Sequence, residues 1–126
     1  MSSAFPYFVE RVPDPHTIAH AIENPFPPSG NQVLRKLKEC GGTAVKVTDE
    51  EILGAQARMA REGIFGQPAA AVPLAAVKKL LAQGYLNPTD SVVCIVTGGG
   101  LKYTAALVHH HFDVKKVGID KIEEAL

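Results

Sequence analysis

The stretch whose reading decides the fold is VVCIVTGGGLK, residues 92–102. Five apolar residues without polar alternation predict a strand buried on both faces, as in a parallel sheet. A threonine, three glycines and the predicted start of a helix near Leu101 follow. In open α/β sheets, ligands sit beyond the carboxyl ends of strands, the position that Thr97, Gly98, Gly99 and Gly100 would take. Glycines there permit positive φ and let a planar or anionic group approach the backbone. A helix starting at Leu101 would aim its free N–H groups at the same place. The run has neither GxGxxG spacing nor a GK[ST] ending, so a dinucleotide fingerprint and a P-loop are both rejected. A plain strand-to-helix turn capped by Thr97 fits the same residues.

Working outward, residues 7–12 predict a short extended segment stopped by PDP, and residues 15–22 a helix. ENPFPPSGN is a proline-rich loop. Residues 32–39 predict a helix with Val33, Leu34 and Leu37 on one side, ended by Gly41 and Gly42. TAVKV at 43–47 predicts a strand. TDEE at 48–51 has capping-box spacing and opens a helix whose face carries Ile52, Gln56, Met59 and Ala60, ending at Gly63. The alanine- and leucine-rich stretch that follows suits a buried core helix better than a membrane-lying one. Pro73 would remove its bond to Ala69, so that helix is expected to start nearer Val72 or to kink. Strands at 91–96 and 114–119, a helix over 101–112 and a last turn capped by Asp120 with Glu123 complete the series. The alternation predicts a single α/β domain over residues 1–126, a small layered parallel sheet with helices on both faces. So few strands leave edges and faces in need of cover. Self-association or a partner polypeptide is therefore expected.

Thirteen basic residues balance thirteen acidic ones. That balance argues against nucleic acid as a partner. No apolar run reaches membrane-spanning length, and MSSAFPYFVERV lacks the basic start and apolar core of a secretory signal. No membrane partner and a cytoplasmic location are expected. Cys40 and Cys94 form no pattern, and Cys94 reads as a small buried hydrophobe.

Four blocks carry a family resemblance. TGGGLK at 97–102 resembles the TGxGLK motif of threonine synthases, which are fold type II enzymes dependent on pyridoxal phosphate (PLP). GIFGQPAAAVPLAAVKKL at 63–80 resembles their GIFxEPASAA segment, GGTAVKVTDEEILGAQ at 41–56 their GGxxxxVxDEEI segment, and TIAHAIENP at 17–25 their TIAxAIxxGNP. Order and approximate spacing agree over roughly residues 11–112, and cysteate synthases share some of the blocks. The resemblance implies PLP as cofactor, with Thr97 hydrogen-bonded to the pyridine nitrogen and the backbone of Gly98, Gly99 and Gly100 against the ring. Gln67 would lie beside that pocket. The family reaction converts O-phosphohomoserine to threonine by elimination and replacement.

The sequence also departs from the family. No SFKD-type motif with its Schiff-base lysine occurs, nor does the glycine-rich phosphate loop, and Lys102 does not match the lysine motif. The chain alone is therefore expected to be inactive, to contain no catalytic residue and to need a complementing N-terminal polypeptide. Gln67 replaces a usual glutamate and Ala70 a common serine. These losses equally suit a non-catalytic, self-associating module with a small-anion site at the glycine turn. Among the histidines, His109, His110 and His111 point about 100° apart on a regular helix and cannot converge on one metal. His16 and His20 share a face, but HTIAH lacks the glutamate of HExxH, so no metal is expected. His110 or His111 with Asp113 lacks a nucleophile for acid–base chemistry.

Overall fold

The computed structural model describes residues 9–112 and 115–125. Three α-helices organise it: α1 (Gly30–Glu39), α2 (Asp49–Arg61) and α3 (Pro68–Ala82). Short 3-10 turns lie at His20–Ile22, Gly100–Lys102, Thr104–His109 and Ile119–Ala125.

Each helix end follows from its sequence. Thr48 and Glu51 form the capping box: the Thr48 hydroxyl accepts the Glu51 N–H at 3.2 Å, and the Glu51 carboxylate accepts the Thr48 N–H at 2.7 Å. All three C-termini close on a glycine of positive φ: Gly41 at 63°, Gly63 at 80° and Gly84 at 69°. In each, the next residue donates back into the last turn: Gly42 to Leu37 at 2.7 Å, Ile64 to Met59 at 2.9 Å and Tyr85 to Leu80 at 3.0 Å. These are Schellman closures, and the left-handed residue costs glycine little.

Helices α2 and α3 form the core. Ile52, Ala55 and Met59 meet Ala69, Ala71 and Ala75, and Ala19 joins them from the N-terminal turn. That turn is anchored on the first residue of α2, where the Asp49 carboxylate accepts the Thr17 hydroxyl at 2.6 Å and the Ile18 N–H at 3.2 Å. Lys79 reaches back from α3 to Glu51 at 3.2 Å.

Several expectations require correction. α3 begins at Pro68, with proline in its favoured first-turn place, and continues through Pro73. Residues 68–71 are buried in succession, so tertiary packing offsets the one lost backbone bond. The helix expected over 15–22 is reduced to one 3-10 turn, and that over 101–112 to two. Ile119–Ala125 forms the last turns.

The predicted parallel sheet, with helices on both faces, is not seen among the described residues. Segments 43–47 and 91–97 carry no strand pairing, and the bridge present, Gly66 to Gly99, is antiparallel and isolated. A parallel ladder is a non-local structure that needs neighbouring strands as well as a suitable sequence. The segments expected at 7–12 and 114–119 extend outside the described residues, as does Asp113.

Candidate functional site

The glycine corner is built by pairing two loops. The Gln67 N–H donates to the Gly98 carbonyl at 3.0 Å, and the Gly100 N–H donates to the Phe65 carbonyl at 2.8 Å. Between them, Gly66 bridges Gly99. The GIFGQP turn, which ends in the N-cap of α3, thus runs antiparallel to residues 98–100. All five candidate residues, Thr97, Gly98, Gly99, Gly100 and Gln67, are gathered at this corner.

Close approach explains two of the three glycines. A Cβ on Gly98 would stand 2.6 Å from Gln67 Nε2, and one on Gly100 would stand 2.5 Å from the Phe65 ring. A Cβ on Gly99 would meet nothing within 4 Å. None of the three has positive φ, so the expectation of left-handed backbone is corrected. A side chain at Gly98 or Gly100 would displace the Gln67 amide or the Phe65 ring, and none of the three glycines needs left-handed backbone.

Thr97 is exposed, and among the described residues its hydroxyl has no hydrogen-bond partner. It is not a helix cap: the turn that follows is capped by Gly99 with no side-chain bond. That turn, Gly100–Lys102, has only three residues. The helix N-terminus expected to bind a small anion is therefore not formed, and that anion site is withdrawn. Residues 92–96, expected to be buried on both faces, instead expose Val93 and Ile95. Cys94 is half-buried and, with Val96, lines a 330 Å³ pocket against Arg58, Met59, Ala70 and Leu74. Cys40 is an exposed free thiol.

Gln56 is a supporting residue whose role the sequence reading missed. It is 2% exposed on the apolar face of α2. Its Nε2 donates to the Gly66 carbonyl at 2.8 Å, which leaves Oε1 to accept from His110 Nε2 at 2.8 Å. The signal was available: an amide at helical spacing between Ile52 and Met59 must find partners inside the core. His16 and His20 instead surround Glu23, with His20 Nδ1 at 2.7 Å and His16 Nδ1 at 3.9 Å from its carboxylate. The Glu23 carboxyl is held below the ordinary glutamate range, first by the Thr17 N–H and then by His20. The His20 ring stacks on Tyr103, whose centroid lies 5.7 Å away, just past the glycine corner.

An uncommitted hydroxyl beside Cβ-free backbone, with open space at Gly99, suits one edge of a planar heterocycle that carries a ring nitrogen. Residues 2–98 match the family model of pyridoxal-phosphate dependent enzymes. The chain belongs to that family. Membership implies fold type II and makes pyridoxal phosphate the family cofactor. The chain is also similar to the threonine synthase of Methanosarcina acetivorans, 42% identical over 90% of this chain and 29% of the relative. It is 42% identical to that of Methanocaldococcus jannaschii over 85% of this chain and 27% of the relative. With the threonine synthase of Mycobacterium leprae the identity is 35%, over 90% and 32%. The resemblance drawn from the four blocks therefore holds. The chain spans about three-tenths of the length of these relatives. Among the described residues, no helix is long and apolar enough to cross a membrane.

Proposed function

We propose that this chain contributes the ring-nitrogen edge of a PLP site of threonine synthase type, whose reaction converts O-phosphohomoserine to threonine. What supports the reading is the exposed Thr97 hydroxyl, without a hydrogen-bond partner among the described residues, beside a glycine corner braced by the Gln67–Gly98 and Gly100–Phe65 backbone bonds. The bound cofactor supplies an electron sink for elimination and replacement. Thr97 holds the ring nitrogen through a neutral hydroxyl, which can donate or accept and brings no charge to it. Gly98 and Gly99 let the ring edge approach the backbone. Gln67 offers a neutral amide beside the ring. A lysine from outside these 126 residues anchors the cofactor and moves the substrate proton, since no residue of this chain matches that motif.

A chimera tests this reading. The matched stretch of the Methanosarcina acetivorans threonine synthase is replaced by this chain, and PLP absorbance and threonine formation are measured. Removing a hydrogen bond to the cofactor costs about 1–3 kcal/mol, so Thr97→Val is expected to lower turnover by roughly 10- to 100-fold. Thr97→Ser should retain most of it. A folded, active chimera that is indifferent to Thr97→Val refutes the role.

A further inference from the structure

We propose that His20 is a positioning residue of the glycine corner: held by Glu23, its ring stacks on Tyr103 and fixes the turn that carries Gly99 and Gly100. Its bearing on catalysis rests on the cofactor reading above, whereas the stack itself stands without it. Position 20 is the open place in TIAxAI, and Tyr103 follows the last residue of TGxGLK, so the pair belongs to this chain's own sequence.

The histidine is anchored through its neighbours. Ala19, directly before it, is 1% exposed in the core that α2 and α3 build. The turn is closed by the Ile22 N–H, which donates to the Ala19 carbonyl at 2.9 Å. Glu23 accepts the Thr17 N–H at 2.8 Å through one oxygen and meets His20 Nδ1 at 2.7 Å through the other. A carboxylate only accepts, so the His20 proton lies on Nδ1 and Nε2 is left to take a second one. So oriented, the ring faces Tyr103 with 5.7 Å between centroids and 18° between planes. From Tyr103 the path to the corner is one turn. The Tyr103 N–H donates to the Gly100 carbonyl at 3.3 Å, and the Lys102 N–H to the Gly99 carbonyl at 3.2 Å. The Gly100 N–H is tied to Phe65 on the other side. The corner is thus held on one flank by the loop that enters α3 and on the other by the N-terminal turn.

The stack responds to charge. An imidazolium over a tyrosine face adds a cation–π attraction, worth about 2- to 5-fold in the seated-to-released equilibrium at an exposed site. Histidines take on that charge between about pH 8 and about pH 5. The Glu23 carboxyl is held below its ordinary 4.5, by the Thr17 N–H first and His20 second, so it stays an anion across that window. The other titratable groups around the ring are His16, 3.9 Å from Glu23, and Asp14, 3.2 Å from His16. Asp49 of α2 is occupied by Thr17 and Ile18, and Lys102 adjoins Tyr103 in the chain. The charged ring gains more from its seat than the neutral one, so the seat is firm at the acid end of the window and looser at the alkaline end.

The test isotope-labels the tyrosine and histidine rings of the full chain and follows them by NMR from about pH 8 to about pH 5. The Tyr103 ring, assigned by its loss in Tyr103→Phe, should shift with the same midpoint as the His20 Cε1 proton. Amide protection at Lys102 and Tyr103 should rise about 2- to 5-fold across the titration. The His20 side chain is 68% exposed, so its variants should fold. His20→Ala should abolish both responses. His20→Phe keeps a ring on Tyr103 without a charge, so it should restore the protection seen at the alkaline end and remove its dependence on pH. His16→Ala should leave the Tyr103 titration in place. In the threonine synthase chimera, His20→Ala should lower turnover by the same factor. The proposal is overturned if Tyr103 does not follow His20, if the response disappears with His16→Ala, or if His20→Ala leaves the turn equally protected. Unchanged turnover of His20→Ala in a chimera that depends on Thr97 also overturns it. Thr97→Val should leave the Tyr103 titration untouched, so failure of the cofactor role and failure of the stack read out separately.

Discussion

Replacing Gln56 by leucine tests whether one buried amide holds the glycine corner in place. The side chain is 2% exposed, and both of its hydrogen bonds are 2.8 Å long. Leucine keeps nearly the same volume but orphans the buried Gly66 carbonyl. An orphaned buried acceptor costs about 1–3 kcal/mol, and the half-exposed His110 can turn to water at little cost. Better transfer of leucine into the alanine-rich core recovers about 1 kcal/mol. A net destabilisation of roughly 1–2 kcal/mol is expected, read as a lower urea midpoint with unchanged slope. Because Gly66 bridges Gly99, amide exchange at Gln67 and Gly100 should accelerate more than exchange in α1.

Gln56→Glu separates hydrogen bonding from shape. The carboxylate can still accept from His110, but it faces the Gly66 carbonyl without a donor. Burial raises the pKa of such a glutamate, so the folded state takes up its proton first and the penalty shrinks as pH falls. Gln56→Glu should therefore gain stability relative to Gln56→Leu at low pH, a comparison that cancels acid effects elsewhere in the chain. If Gln56→Leu lies within about 0.5 kcal/mol of wild type and glycine-corner exchange is unchanged, Gln56 does not brace the corner.

Three further predictions rest on the helix caps and the glycine corner. The Glu51 carboxyl is held below the ordinary 4.5 by the Thr48 N–H first and Lys79 second, and the Glu23 carboxyl by the Thr17 N–H and then His20. Their contribution to stability is present above pH 4.5 and is lost as pH falls through the lower folded values. Urea midpoints should fall in that window, and less so in Glu51→Gln. Thr48→Ala should cost about 1 kcal/mol near neutral pH. Gly100→Ala places a methyl 2.5 Å from the Phe65 ring and should cost about 1–3 kcal/mol in urea unfolding. Phe65→Leu in the same chain should recover part of that loss, and strictly additive costs would show that the ring is not the obstacle.

How much could be read in the sequence divides along the range of the interactions. The Thr48 capping box and the glycine stops at Gly41 and Gly63 are set by residues within one turn, and all stand where the spacing puts them. The start near Val72 read from Pro73 is wrong because a local rule, the lost bond to Ala69, was outweighed by burial of residues 68–71 against α2, which no local pattern reveals. The candidate site was legible as a motif and not as a mechanism of construction. TGGGLK identified the corner, but the bonds that make it join Gln67 to Gly98 and Phe65 to Gly100, across some thirty residues. Gln56 was visible on the apolar face of α2, yet its two partners, Gly66 and His110, were not.

The residues from 92 to 96 carry this division furthest. Their composition suits a strand covered on both faces, whereas in the structure they carry no strand pairing and only Cys94 is half-buried, with Val92, Val93, Ile95 and Val96 exposed. The two observations are compatible if strand character is supplied by the residues and ladder formation by neighbours. Val93 and Ile95 in water oppose the apolar tendency of the segment, whereas half-buried Cys94 meets it in the pocket against α2 and α3, which Val96 also lines while 45% exposed. The same segment leads into the glycine corner, where Thr97 follows it directly and is exposed.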